Sequence, residues 1–168
     1  MYEKSIELLN KAIADELTAV HQYMYFHFRC DDMGYDLLAG LFRKTAIEEM
    51  LHIERIAERT LFLKGEVELI ASADVEKLHE VKGMLALSCK LEEQAILDYN
   101  NYANLCAAHA DSVSKKLFED LVVDEERHFD QFDTEVENME KFGVNYLALQ
   151  SIERSKTIAA TPMATTQV

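Results

Sequence analysis

A helix seldom turns a glutamate toward its apolar side, yet this sequence does so in four separate stretches. Leu9, Ile13, Val20 and Tyr23 recur at helical spacing with Glu16 in their midst. Phe42, Ala46 and Ile56 surround Glu49 and His52 in the same way, and Leu85, Cys89, Ile96 and Tyr99 surround Glu92. Leu121, Phe129 and Phe132 do so around Glu125 and His128. A carboxylate buried without a partner is costly enough that it takes up a proton or is lost. Four that converge need positive charge, and few cations lie near them in sequence. Bound metal supplies that charge with the fewest groups.

The spacing sharpens this reading. Glu16 and Glu49 stand 33 residues apart, and so do Glu92 and Glu125. Each second acid opens a Glu-x-x-His, E-M-L-H at 49–52 and E-E-R-H at 125–128. Residues three apart share one face of a helix. The chain thus repeats one pattern, a lone Glu and then a Glu-x-x-His, once per helical hairpin. Two such halves related by a pseudo-twofold bring four carboxylates and two imidazoles to one point, a donor set that suits Fe2+ and tolerates Fe3+. A single Glu-x-x-His in an acidic helical protein is a weak sign. The doubled and evenly spaced pattern is a strong one.

The rest of the chain predicts an all-α protein. Its only proline is Pro162, and Gly34, Gly65 and Gly143 each close a long periodic stretch, as helix C-terminal residues do. Gly40 and Gly83 fall inside such stretches. Helices are expected over 3–32, 36–64, 74–109 and 112–142, with Asp111 or Ser112 as N-cap of the last. A short fifth is expected over about 144–154, where Val144, Leu147 and Ile152 come at near-helical spacing. The tight turn at D-D-M-G makes the first two helices antiparallel neighbours. G-E-V-E-L-I-A-S-A-D, between the second and third, is long enough to cross the length of a bundle. Residues 1–154 form one domain in this reading, and 155–168 a flexible tail that includes T-I-A-A-T-P-M-A-T-T-Q-V.

Composition narrows the function. With 17 basic and 31 acidic residues the formal charge is −14, which disfavours nucleic acid phosphates and favours cations. Apolar residues are 49% of the chain, without a run that would span a membrane. The opening MYEKSIELLNKAIADEL lacks the apolar block of a signal peptide, so a cytoplasmic location is expected. Cys30, Cys89 and Cys106 fit no metal-ligand spacing and read as reduced, buried thiols. Cys89, one turn before Glu92, has a redox role as its alternative.

With these motifs in view, the chain resembles the bacterioferritins over about residues 1–153. The stretches that carry the resemblance are D-E-L-T-A-V-H-Q-Y around Glu16, I-E-E-M-L-H-I-E-R around Glu49 and D-E-E-R-H at Glu125. E-R-T-L-F-L-K-G and N-Y-L-A-L-Q add to it. The resemblance implies a ferritin-like four-helix bundle with a long crossover and a short C-terminal helix. It implies a ferroxidase centre of two iron ions per subunit, Glu16 with His52 holding one and Glu92 with His128 the other, while Glu49 and Glu125 bridge. Tyr23 would be a hydrogen-bond donor beside it, or else a core aromatic. Fe2+ would be oxidised by O2 or H2O2 and stored as ferric mineral in a hollow shell of 24 subunits, and a ferredoxin-type reductant would release it.

The same resemblance implies haem, one per two subunits, with Met50 as its axial ligand. Met50 points about 100° away from Glu49 around the helix and so leaves the metal face. Arg43, Ile47, Leu17, Val20, His21 and Met24 are expected beside it, Arg43 or His21 near haem propionates. A methionine filling gaps in a subunit interface is the alternative that periodicity allows. Two positions depart from the family. Lys44 stands where some members have a histidine of an inner-surface iron site, with Glu48 at its acid position, and Gln131 replaces a tryptophan. A rubrerythrin-like peroxidase would usually add a Cys-x-x-Cys, which this sequence lacks. A haem-binding dimer or passive iron-binding shell is the reading that involves no catalysis.

Overall fold

The computed structural model describes residues 2–160. Helices α1 (Glu3–Asp32), α2 (Asp36–Phe62), α3 (Val81–Ala108), α4 (Ser112–Phe142) and α5 (Val144–Ala160) follow in that order. α1 lies along α2 and α3 along α4, and the two hairpins meet through α1 with α3 and α2 with α4. This is the four-helix bundle that the short turns and long crossover require. Among the described residues no helix is long and apolar enough to cross a membrane.

The core is apolar at both ends and polar in the middle. One cluster gathers Tyr23, Phe26, Phe42, Met84 and Phe132, the other Leu9, Ile13, Ile56, Tyr102 and Phe118. Most of each helical stripe is buried as expected, Val20, Cys89, Ile96 and Phe129 being half-buried, and the acids that interrupt the stripes form a layer between the clusters. α5 closes one end against α2 and α4, where buried Tyr146 donates to Glu135 and Gln150 accepts from the Leu38 amide.

Helix ends follow side-chain and backbone partners. Asp111 is the N-cap of α4, accepting from the Ser114 amide at 3.1 Å and pairing with Arg59 at 2.6 Å. After α1 the left-handed residue is Gly34 (φ 81°), and the Tyr35 amide returns to the Cys30 carbonyl. After α2 that role falls to Lys64 (φ 66°), not to Gly65. Gly65 is needed for space instead, since a Cβ there would lie 2.7 Å from Ile6 Cγ2.

Three other boundaries differ from expectation. α3 starts at Val81, not at 74, because the segment before it is bound side-on to α1. Gln22 donates to the Glu76 carbonyl at 3.0 Å and accepts from its amide at 2.8 Å, which withdraws that backbone from a helical ladder. Thr18 Oγ1 accepts from the amides of Ser72 and Ala73, and Asn10 pairs with the backbone of Glu66 and Glu68. Asn10, Thr18 and Gln22 lie on one ridge of α1 and fasten the crossover along it. α2 stops at Phe62 rather than 64. α5 continues to Ala160, through residues expected in the tail, and Ile152 is exposed where Tyr146 and Gln150 are buried. The side chain of Val144 and the tail from 161 to 168 lie outside the described residues.

Candidate metal centre

All six predicted ligands meet at the middle of the bundle, none more than 3% exposed. They divide into two overlapping groups. Glu16, Glu49, His52 and Glu125 place one ligand atom each within 4.8 Å of one another, and so do Glu49, Glu92, Glu125 and His128. Glu49 and Glu125 belong to both. His52 Nδ1 lies 3.3 Å from Glu16, 2.9 Å from Glu49 and 3.1 Å from Glu125. His128 Nδ1 lies 3.0 Å from Glu49, 3.7 Å from Glu92 and 3.1 Å from Glu125.

Whether these atoms suit metal can be judged from their orientation. Both carboxylate oxygens of Glu49, Nδ1 of His52 and Oε1 of Glu125 are buried without a well-directed hydrogen bond. They crowd together yet aim at a shared space rather than at one another. Polar atoms left in that condition are rare in a folded core. Donors that converge on a cation have this geometry, and hard carboxylates with one imidazole per group fit iron-like divalent ions.

The groups behind the ligands show a regularity that sequence reasoning only half found. Tyr23 of α1 donates to Glu92 of α3, as expected of a donor beside the centre. Tyr99 of α3 donates to Glu16 of α1 at 2.5 Å, and it was assigned only to the apolar stripe. Both tyrosines stand seven residues after a lone glutamate, which was the available signal. Glu48 and Asp124 form a second missed pair, each just before an acid that both groups share. Glu48 accepts from His128 Nε2 at 2.8 Å, and Asp124 lies 3.4 Å from His52 Nε2. Glu16, Tyr23, Glu48, Glu49 and His52 each have their counterpart 76 residues further on. Every one of these partner contacts runs from one hairpin to the other.

Burial drives the electrostatics. It pushes the carboxyls of Glu16 and Glu92 well above the usual range, and the neighbouring carboxylates push the same way. Burial acts likewise on Glu49, but the close imidazoles of His128 and His52 outweigh it and hold that group at about 2. Desolvation opposes the imidazolium of His52, but the carboxylates of Glu125, Glu16 and Glu49 crowded against it raise it to about 12. His128 is raised in the same way. Tyr23 and Tyr99 are raised chiefly by burial and so keep their protons as donors.

The centre is reached between α1 and α3. A cleft of about 120 Å³ runs past Asp15, Ser72 and Asp98 to Glu16, Glu49, Glu92 and Glu125. On the α2–α4 side, Arg127 pairs with Glu48 and Asp124, Arg55 pairs with Asp124, and Lys44 lies 3.8 Å from Glu48. Met50 is 51% exposed on α2, with Ile47 and Leu51 exposed three residues before and one after it. Of their expected neighbours, Arg43 and His21 are exposed and Leu17, Val20 and Met24 half-buried. The three cysteines are free, Cys30 and Cys106 buried and Cys89 half-buried. Burial raises the Cys89 thiol, with Asp133 adding to it, which disfavours a reactive thiolate.

Comparison with known proteins agrees with this architecture. A family model described as "Ferritin-like domain" matches residues 6–142. The bacterioferritin of Desulfovibrio desulfuricans is 35% identical over 162 residues, 96% of this chain and 86% of that protein. That of Brucella melitensis is 37% identical over 83% of this chain and 87% of its own length. That of Rhodobacter capsulatus is 38% identical over 87% and 91% respectively.

Proposed function

The chain belongs to the bacterioferritin family of ferritin-like proteins, and from that premise we propose that it stores iron by oxidising Fe2+ at the buried centre. The observation that carries the proposal is the pair of overlapping ligand groups that share Glu49 and Glu125. Fe2+ is the substrate. It enters along the α1–α3 cleft, drawn past Asp15 and Asp98. Glu16 with His52 receives one ion, Glu92 with His128 the other, and Glu49 and Glu125 bridge them. Each Fe2+ loses one electron. The two electrons, with two protons, reduce O2 to H2O2, or H2O2 to water.

The chain contributes position and charge. Tyr23 and Tyr99 hold the terminal carboxylates from the opposite hairpin, and the bridging acids keep the two ions together for a two-electron oxidant. The oxidised iron is deposited as mineral inside a shell of identical subunits, 24 by family likeness, in the cytoplasm, and a ferredoxin-type reductant returns it. Met50 is the haem ligand of this reading. Exposed Ile47, Met50 and Leu51 make an apolar face on α2 that a second subunit would cover, and two thioethers across a twofold would hold one haem between them. Such a haem supplies electron transfer, at a potential raised by sulfur ligation.

The test is aerobic addition of Fe2+ in large excess, with oxidation, particle mass and visible spectrum followed together. Soluble particles that gain mass as mineral are expected. Uptake that stops at two irons per chain would refute storage. A Soret band that disappears in Met50→Leu is expected, and a colourless protein from haem-replete cells would refute the haem assignment.

A further inference from the structure

The α2–α4 side of the centre carries an assembly that neither the ligand pattern nor the oxidation chemistry requires. Both histidines turn Nδ1 toward the converging carboxylates, which leaves Nε2 facing outward. His128 Nε2 meets Glu48 at 2.8 Å, and His52 Nε2 lies 3.4 Å from Asp124. These acids come from the opposite helix in each case, so α2 steadies the imidazole of α4 and α4 that of α2. The acids are themselves held. Arg127 reaches Glu48 through one guanidinium nitrogen at 3.0 Å and Asp124 through the other at 3.4 Å, while Arg55 takes Asp124 at 3.1 Å. One fork therefore ties together the outer partners of both histidines. A lysine, a single point of charge, has no such geometry.

We propose that Arg127, Glu48 and Asp124 are positioning residues that lock both imidazoles toward the centre and close its α2–α4 side, so that metal held there is retained rather than passed through that side. The proposal rests on the di-metal reading of the centre. A carboxylate behind a histidine ligand fixes the ring and strengthens the ligand, and loss of such a partner typically costs about 10–100-fold in metal affinity. Here the loss of one arginine unties the two partners from each other, leaving Asp124 to Arg55 and Glu48 to the more distant Lys44. Iron bound this way stays as a fixture of the protein, reached through the α1–α3 cleft.

Coulomb's law alone makes the opposite prediction, which gives the test its force. Removing a cation beside two metal ions should hold them tighter, and exchanging arginine for lysine should change nothing. The experiment loads the full-length protein with Co2+ under nitrogen and follows release to excess chelator by the visible ligand-field band. The wild-type chain is expected to bind two Co2+ and release them slowly. Arg127→Ala is expected to release them about tenfold faster, with a shifted band and an unchanged apo far-ultraviolet spectrum and melt. Arg127→Lys is expected to fall between the two, and it carries the test should the alanine variant fold poorly. Release at the wild-type rate or slower in Arg127→Ala, or Arg127→Lys equal to wild type, would overturn the proposal. A wild-type chain that binds no pair of Co2+ would overturn the di-metal reading beneath it, a result distinguishable from either.

Discussion

Filling the metal-free centre with divalent ions must drive protons out of it. Burial and the neighbouring carboxylates raise Glu16 and Glu92 well above the usual carboxylate range, so the protonated form of each is favoured in the metal-free centre. His52, raised to about 12 by its carboxylate partners, is an imidazolium there, and His128, raised likewise, is another. The two imidazolium groups must each lose a proton to become ligands, and Glu16 and Glu92 must give up any proton they hold, so a pair of ions displaces at least about two protons. Near neutral pH the apparent constant for binding the pair should then rise at least about 100-fold per pH unit, a factor of ten for each proton. The assay is anaerobic titration of the unbuffered apoprotein with Co2+ in a pH-stat. Glu16→Gln lacks the carboxyl proton that burial favours there and should release fewer. Release of less than about one proton per pair in the wild type would refute the charge distribution assigned to the centre.

Glu16→Gln should also raise the melting temperature of the metal-free protein. A carboxyl raised in the folded state contributes fully below its unfolded value and loses that contribution as pH rises toward the folded one. The advantage of Gln should therefore widen from pH 4 to pH 8, and an advantage that narrows would refute the sign. Lys64→Gly relieves an exposed left-handed residue and should stabilise by about 1 kcal/mol in denaturant unfolding. Gly65→Ala drives a methyl into Ile6 and should destabilise by about 1–3 kcal/mol in the same assay. Thr18→Val keeps shape but removes the acceptor of two crossover amides, a loss of about 1–2 kcal/mol after allowance for solvent at this rim. Hydrogen exchange at Ser72 and Ala73 should quicken while α2 amides stay protected.

The parts of the molecule legible in its sequence are those where a period carried information. Glu16, Glu49, Glu92 and Glu125 stand out because they break apolar stripes, and their equal spacing picks out four of the six side chains that meet at the centre. The histidines followed from sharing a helical face. Residues 74–80 were misread because Val75 and Leu78 carry apolar spacing that looks helical. Their backbone is claimed by Gln22 through bonds between residues 54 apart, which no local pattern reports. Lys64 was missed for a related reason. Glycine is the usual left-handed residue at a helix end, and here Ile6 required the glycine one place later. Tyr99, Glu48 and Asp124 were open to inference, since each copies a residue of the other half. Arg127 was not, because it has no counterpart: Leu51 stands 76 residues before it.

The sharing of Glu49 and Glu125 has a thermodynamic consequence. Each ligand group takes three residues from one hairpin and a single bridging acid from the other. Neither hairpin can complete a site by itself, so an ion bound with full coordination exists only when the two are docked. Ligands that bind one state of an equilibrium shift it by mass action, and a concentration one hundred times the dissociation constant adds about 2.7 kcal/mol. On the proposed di-metal reading, metal supply therefore sets how firmly the two halves of the bundle hold together. A cell rich in ferrous ion would keep the chain closed around its centre, and a cell starved of it would hold a looser protein, more open to proteolysis along the seam between α1–α2 and α3–α4.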